Sequence, residues 1–244
     1  MTNKEARYAL MQHYAKELSC CPDDFLNDAN KIIQTSDPDD PFLQMRCFGR
    51  AVIMKVDPRI ADWCAAFVSR HPGFRCFDSM QFTQIYHEVQ RHSFILFGGE
   101  GAIADLAIQR PVIEPGKTIK LIEKADLPSF FENEIHAQAF PMTVGDFSDK
   151  TELLAAEYLD GQVAGVACAD RQSDLLADIG CEVKEEYRQR GIGTRLSLLI
   201  TNELLRRGLL PFAQFAWSNI ASKSILYRCG YYPAWAYANS EIRN

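Results

Sequence analysis

Several features are scarce in this 244-residue chain, and each scarcity removes a class of protein. No apolar run reaches the roughly 18 residues of a membrane-spanning helix. The opening Met1-Thr2-Asn3-Lys4-Glu5-Ala6-Arg7 lacks the apolar core of a secretory signal. A soluble, cytoplasmic protein is the expectation. The eight cysteines contain no C-x-x-C pair, so neither a zinc ribbon nor a dithiol redox motif is indicated. Without an export signal they read as reduced, mainly buried thiols. Only five histidines occur, and His87 and His92 stand five positions apart, which puts them on different faces of a helix. No metal site is expected. A net charge of −6 leaves no surplus of cations for a phosphate backbone. Neither nucleic acid nor a membrane is therefore an expected partner, although a local basic pocket for one phosphorylated cofactor stays open.

What is present suits a buried core: 47% hydrophobic and 24% charged residues, in a length between one large domain and two small ones. Residues 6–35 read as helical through Leu10, Tyr14, Leu18, Phe25, Leu26, Ile32 and Ile33, with an interruption at Cys21-Pro22. Residues 35–41 form a loop by turn chemistry. Residues 51–56 read as a strand, and Asp57 and Pro58 open a helix over 59–69 as its N-cap and first position. Another strand is expected at 93–97. Gly99-Glu100-Gly101-Ala102-Ile103-Ala104 then matches the G-x-G-x-x-A of a dinucleotide-binding turn. Pro111 and Pro115 follow too closely for the helix of about ten residues that such a turn must open. The segment is expected to be a loop between strands, and an NAD-dependent oxidoreductase is the weakest reading.

The proline-bearing stretch 111–117 divides the chain into 1–117 and 118–244. Beyond it the expected order is a strand at 118–122, a helix at 127–138, and strands at 153–159, 162–168 and 175–183. Asp160-Gly161 between two apolar runs is a hairpin signal. Next, residues 192–207 form an amphipathic helix with Ile192, Leu196, Leu199, Ile200 and Leu204 on one face. Arg206 and Arg207 complement its last turn, and Gly208 supplies the left-handed stop.

The chemistry lies at the other end of that helix. Gly191 and Gly193 let backbone approach an anion closely, with amide groups and the helix dipole directed at it. Arg188, Arg190 and Arg195 surround the turn, in an otherwise acidic protein. A pyrophosphate is the natural occupant, and the alternative is a glycine-containing turn with solvated arginines.

Arg188-x-x-Gly191-x-Gly193 resembles the CoA-pyrophosphate loop of the GNAT superfamily of acyl-CoA-dependent N-acetyltransferases, [QR]-x-x-G-x-[GA]. The longer run Val183-Lys184-Glu185-Glu186-Tyr187-Arg188-Gln189-Arg190-Gly191-Ile192-Gly193 is similar to the family's V-x-P-E-Y-R-G-x-G-x-G, with Glu185 where proline is usual. After a strand at 209–217, the stretch from Asn219 through Ser222 to Gly230-Tyr231 is similar to the family's N-x-x-[AS]-…-G-F ending. Asn219 also suits the bland role of helix N-cap.

The resemblance covers residues 118–244. It implies an α/β (α+β) fold: a GNAT-like mixed, mostly antiparallel central sheet flanked by helices, here preceded by a smaller α/β module over 1–117 that is similar to a degenerate GNAT-like unit. It implies acetyl-CoA as cosubstrate and no metal, held by Cys181, Val183, Arg188, Gln189, Arg190, Gly191, Ile192, Gly193, Thr194, Asn219 and Ser222. The strand ending at Val183 would offer backbone groups of Cys181 and Val183 to the pantetheine arm. The implied activity is direct attack of a primary amine, on a small molecule, amino acid or peptide, on the acetyl thioester. The alternative is an acyl-CoA-binding regulatory module without turnover, acting as a monomer or homodimer like the enzyme. Many family members place an acid tyrosine seven residues after the asparagine. Here that position is Leu226, and Tyr227 follows about 100° further round the helix. Tyr227 is the acid and Asp178 the base that the sequence offers. Shaping the acceptor pocket is the role expected of 1–117.

Overall fold

The protein is described from a computed structural model covering residues 1–133 and 149–242. It divides into two compact units. One comprises Met1–Asn3, Ala102–Gln214 and Asn219–Tyr232, and the other Lys4–Gly101, Phe215–Ser218 and Pro233–Asn244.

The unit containing Lys4–Gly101 begins with helix α1 (Asn3–Leu18), whose Leu10, Tyr14 and Leu18 are buried as their spacing predicts. Pro22 then opens a short 3-10 turn, Pro22–Leu26. The helix expected to continue through Ile32 and Ile33 is replaced by strand β1 (Lys31–Gln34), parallel to β3 (Val52–Val56). Two adjacent β-branched residues favour extended backbone. Asn30 fixes the entry: its Oδ1 accepts from the amides of Val52 at 2.9 Å and Gly73 at 3.0 Å. Strand β2 (Leu43–Cys47) runs antiparallel to β3. Asp57 accepts from the Arg59 amide and starts a 3-10 turn at Pro58, which leads into α2 (Ala61–Arg70), as the cap signal indicates. α3 (Ser79–Arg91) carries His87, and His92 caps its end.

Strand β4 (Phe94–Ala104) is eleven residues long and takes in all of 99–104, so the expected loop there is extended strand. The glycines serve packing. A Cβ on Gly101 would overlap the Trp235 indole, and one on Gly99 would meet the Tyr237 hydroxyl at 2.7 Å.

The other unit contains β5 (Ile119–Glu123), α4 (Leu127–Asn133), β6 (Thr151–Leu159), β7 (Gln162–Arg171), β8 (Leu176–Val183), α5 (Ile192–Arg206), β9 (Leu210–Ala216) and α6 (Ile220–Arg228). The part of the expected 127–138 helix beyond Asn133 lies outside the described residues. The sheet order is β9-β8-β7-β6-β5, antiparallel throughout except for the parallel β8–β9 pair. Asp160 and Gly161, at φ 51° and 76°, make the tight β6–β7 turn that the dipeptide signals. One face of the sheet packs Leu154, Ala156, Val166 and Cys168 with Leu127 and Phe130 of α4. The other face receives α5, whose Ile192, Leu196, Leu199, Ile200 and Leu204 are buried. Each such side chain contributes about 1.5–3 kcal/mol relative to exposure. At its end, Gly208 (φ 77°) donates to Leu205 O at 3.0 Å and Leu209 to Leu204 O at 2.9 Å, a Schellman stop.

The last strand, β10 (Tyr231–Ile242), pairs antiparallel with β2 through Ala236–Cys47 to Asn239–Gln44. Neither β2 nor β10 is signalled by the sequence. None of the eight cysteines is in a disulfide. Among the described residues no helix is long and apolar enough to cross a membrane.

Candidate acyl-CoA site

The site begins where two strands part. β8 and β9 pair only through Leu176–Leu210, Ala177–Pro211 and Asp178–Phe212, although both strands continue, β8 to Val183 and β9 to Ala216. Lys184 N donates to Ala164 O, toward β7, at 3.0 Å. By the two-residue period of a strand, the backbone groups of Cys181 and Val183 point the other way, into the opening. Their side chains lie on the face covered by α5. The Cys181 thiol donates to Gly193 O at 3.7 Å, and a Cβ on Gly193 would sit 3.6 Å from both Cys181 Sγ and a Val183 methyl. Burial pushes the Cys181 thiol up to about 12, so it stays protonated at neutral pH.

A cleft of about 710 Å³ opens here. Cys181, Val183, Arg188, Gln189, Gly191, Ile192, Gly193, Thr194, Asn219 and Ser222 all line it, ten of the eleven positions expected to hold the cofactor. Arg190 does not. Its guanidinium lies over the Tyr187 ring at 5.5 Å, and it donates to Glu186 O at 3.5 Å. At the centre is Gly191, the N-cap of α5 in the left-handed region (φ 76°), preceded by Gln189 at φ 63°. The first intrahelical bond runs from Arg195 N to Gly191 O at 3.0 Å. The amides of Ile192, Gly193 and Thr194 therefore precede the helical ladder and are available to an anion, where the helix dipole also favours negative charge. Arg188 anchors the loop through Nε to Val183 O at 3.2 Å while its exposed guanidinium borders the cleft.

Gly193 is as much a packing requirement as a binding one, because a Cβ there would press on Ile225 Cδ1 of α6 at 2.9 Å. α6 is started by Asn219, whose Oδ1 accepts from Ser222 N at 3.1 Å. So Asn219 both caps α6 and borders the cleft.

The proton-transfer candidates stand apart from this wall. Asp178 is the last residue of β8 paired with β9, and its side chain points to the face opposite Cys181 and Val183. It is partly buried, hydrogen-bonded to Gln214 and to its neighbour's amide at Ile179, and directly opposite Asp170 on β7. Desolvation, then the Asp170 charge, raise it to about 7. Thr151 donates to Asp170 at 2.6 Å, so Thr151, Asp170, Asp178 and Gln214 form a polar row across four strands. Tyr227, on α6, is 37% exposed and does not line the cleft, whereas Leu226 before it is buried.

The Acetyltransferase (GNAT) family model matches residues 119–231. Residues 119–231 form a GNAT acetyltransferase domain. No curated protein matches the chain. Among solved structures, a GNAT-family protein from Novosphingobium aromaticivorans is similar at 19% identity and a TM-score of 0.49, over 61% of this chain and 66% of that one. A GCN5-related N-acetyltransferase from Sphaerobacter thermophilus is similar at 16% identity and a TM-score of 0.48, over 78% and 71%. A GCN5-related N-acetyltransferase-like protein from Streptococcus suis gives 19%, 0.47, 66% and 67%. The chain thus spans slightly under two thirds of the first of these.

Within the GNAT domain, the sequence signals gathered one contiguous wall and missed its supports. Arg228, from the last turn of α6, lines the cleft and carries a second exposed cation there beside Arg188. No local motif marks it. Arg195, which the sequence places among the arginines around the anion turn, is engaged elsewhere: Nε and Nη2 reach Glu157 Oε2 and Oε1 at 3.1 and 2.5 Å. Among the described residues no cluster of three or more His, Cys, Asp or Glu is arranged to hold a metal ion.

Proposed function

We propose that the GNAT domain transfers an acetyl group from acetyl-CoA to a primary amine of a small molecule, amino acid or peptide, by direct attack. The observation that carries this reading is the parting of β8 from β9 beside the uncapped N-terminus of α5. It joins a strand edge that its neighbour leaves unpaired to an anion-ready helix end, in one cleft of about 710 Å³. A thioester with a pantetheine arm and a pyrophosphate has that polarity along its length. Residues 189–194, with Arg188 and Arg190 nearby, would hold the pyrophosphate. Cys181 and Val183 would line the pantetheine arm, and Asn219 and Ser222 would flank it. Bound acetyl-CoA supplies an activated acetyl group.

Asp178, like Tyr227 outside the cleft lining, is the base of this reading, taking the proton of an incoming ammonium through an intervening water. It ends the paired part of β8, and a carboxyl raised to about 7 is matched to general-base work near neutrality. The Cys181 thiol, held up to about 12, is a poor nucleophile, which favours direct transfer over an acyl-cysteine route. Because Tyr227 lies outside the cleft lining, protonation of the departing thiolate falls to solvent. With a thiol pKa of about 8.5, that thiolate leaves readily without a positioned acid.

The position of Tyr227 also favours a second reading, an acyl-CoA-binding regulatory module without turnover. Release of free CoA from acetyl-CoA, followed across a panel of primary amines, separates the two. Turnover with any amine supports the enzyme. Tight CoA binding with no turnover across the panel supports the regulatory module, and absence of CoA binding overturns both.

A further inference from the structure

Arg195 stands in the first turn of α5, one residue after the anion-ready amides, and by position alone would be read as a phosphate ligand. Its surroundings give it other work. Glu157, on β6, is 4% exposed, and both of its carboxylate oxygens are taken by Arg195, at 3.1 and 2.5 Å. The remaining Nη1 donates to Arg190 O at 3.0 Å and would lie 3.1 Å from a Cβ on Gly191. One guanidinium thus spans from the sheet to the main chain of the loop, against the left-handed glycine. The approach depends on Gly165, which is paired with Glu157 across the β6–β7 ladder. A Cβ there would press on Ile192 Cγ2 at 2.9 Å and hold the first turn of α5 off the sheet.

We infer that Glu157 and Arg195 form a brace that fixes the backbone of residues 188–193 for anion binding, so that Arg195 is a positioning residue and not a phosphate ligand. A carboxylate this far from water needs a partner with matching geometry, and the planar guanidinium fork supplies it. The pair is neutral as a unit. Attraction for an anion is left to the α5 amides, the helix dipole and the Arg188 and Arg228 heads at the cleft. The brace sets the directions in which those amides point, and small errors there are costly to binding. This inference rests on the CoA reading above.

Two effects of opposite sign separate brace from ligand in Glu157→Gln. If Arg195 contacted phosphate, removing the carboxylate that neutralises it would tighten CoA. If the pair is a brace, the loop loosens and CoA binds more weakly. The experiment measures the CoA dissociation constant by calorimetry, and amide hydrogen exchange in the peptide covering 188–196, for wild type, Glu157→Gln and Glu157→Asp. Glu157→Asp keeps the charge but shortens the reach, and it serves if the glutamine variant does not fold. The expected result is about tenfold weaker CoA binding, with faster exchange confined to 188–196. Tighter or unchanged CoA affinity, or exchange in 188–196 equal to wild type, overturns the brace. Wild-type protein that fails to bind CoA overturns the CoA reading instead, while the exchange arm still decides whether the pair holds the loop.

Discussion

Asp178→Asn should make the protein more stable at pH 8 and leave its stability near pH 4 almost unchanged. The carboxyl is raised from 3.8 to about 7 in the folded state, first by desolvation and then by the Asp170 charge opposite it. A raised folded-state value means that the native protein holds its proton over a range in which the unfolded chain has released it. Native stability therefore falls as pH rises from about 4 to about 7, and levels off above that. Roughly three units at about 1.4 kcal/mol each give a ceiling near 4 kcal/mol. Residual solvent exposure of the side chain reduces this to about 2–4 kcal/mol. Asparagine keeps an acceptor for Gln214 and for the Ile179 amide but has no charge to desolvate. Urea denaturation at half-unit intervals from pH 4 to pH 8.5 reads the difference directly. The curves of wild type and variant should converge at the acid end and separate by about 2–4 kcal/mol at pH 8. Parallel curves, or a variant less stable at pH 8, would refute the placement of an ionisable, desolvated carboxylate at this point. If Asp178 is also the base, the same substitution removes turnover while raising stability.

Gly191→Ala puts a side chain at φ 76°, with its Cβ 3.1 Å from Arg195 Nη1. We expect a stability loss of about 1–2 kcal/mol and weaker CoA binding, checked by denaturation and calorimetry. Asn219→Ala removes the α6 cap and should cost about 1 kcal/mol. Asn219→Ser should restore that stability, and a recovery of CoA affinity alongside it would show that capping is the residue's main contribution. Gly101→Ala drives a methyl into the buried Trp235 ring and should cost about 1–3 kcal/mol in urea denaturation, with CoA affinity unchanged.

What the sequence made readable was local. The left-handed Gly191 and Gly208, the Asp160-Gly161 turn and the Asp57-Pro58 start each encode their geometry within a few residues, and each lies where that chemistry places it. The glycine turn at 191–193 is legible for the same reason. What was hidden depends on partners far away in the chain. β2 owes its place to β10, whose Ser240 Oγ accepts from Leu43 N at 2.7 Å across 197 positions. β1 carries only four residues, too few for a period to show, and is held by Asn30 and the parallel neighbour β3. The glycines of 99–104 match a nucleotide-binding pattern because they meet the same requirement, a close approach without a side chain. What approaches is Trp235 and Tyr237. Glu157 reads as one more strand residue until Arg195, 38 positions on, is set against it.

On the function proposed above, the turn at Gly191 and the parted strands hold acyl-CoA. Calorimetric titration of CoA into wild type and Gly191→Glu, with circular dichroism to confirm that both are folded, tests it most directly. Saturable binding to the wild type and none to the folded variant is the expected result. Equal affinity in the two proteins would contradict it.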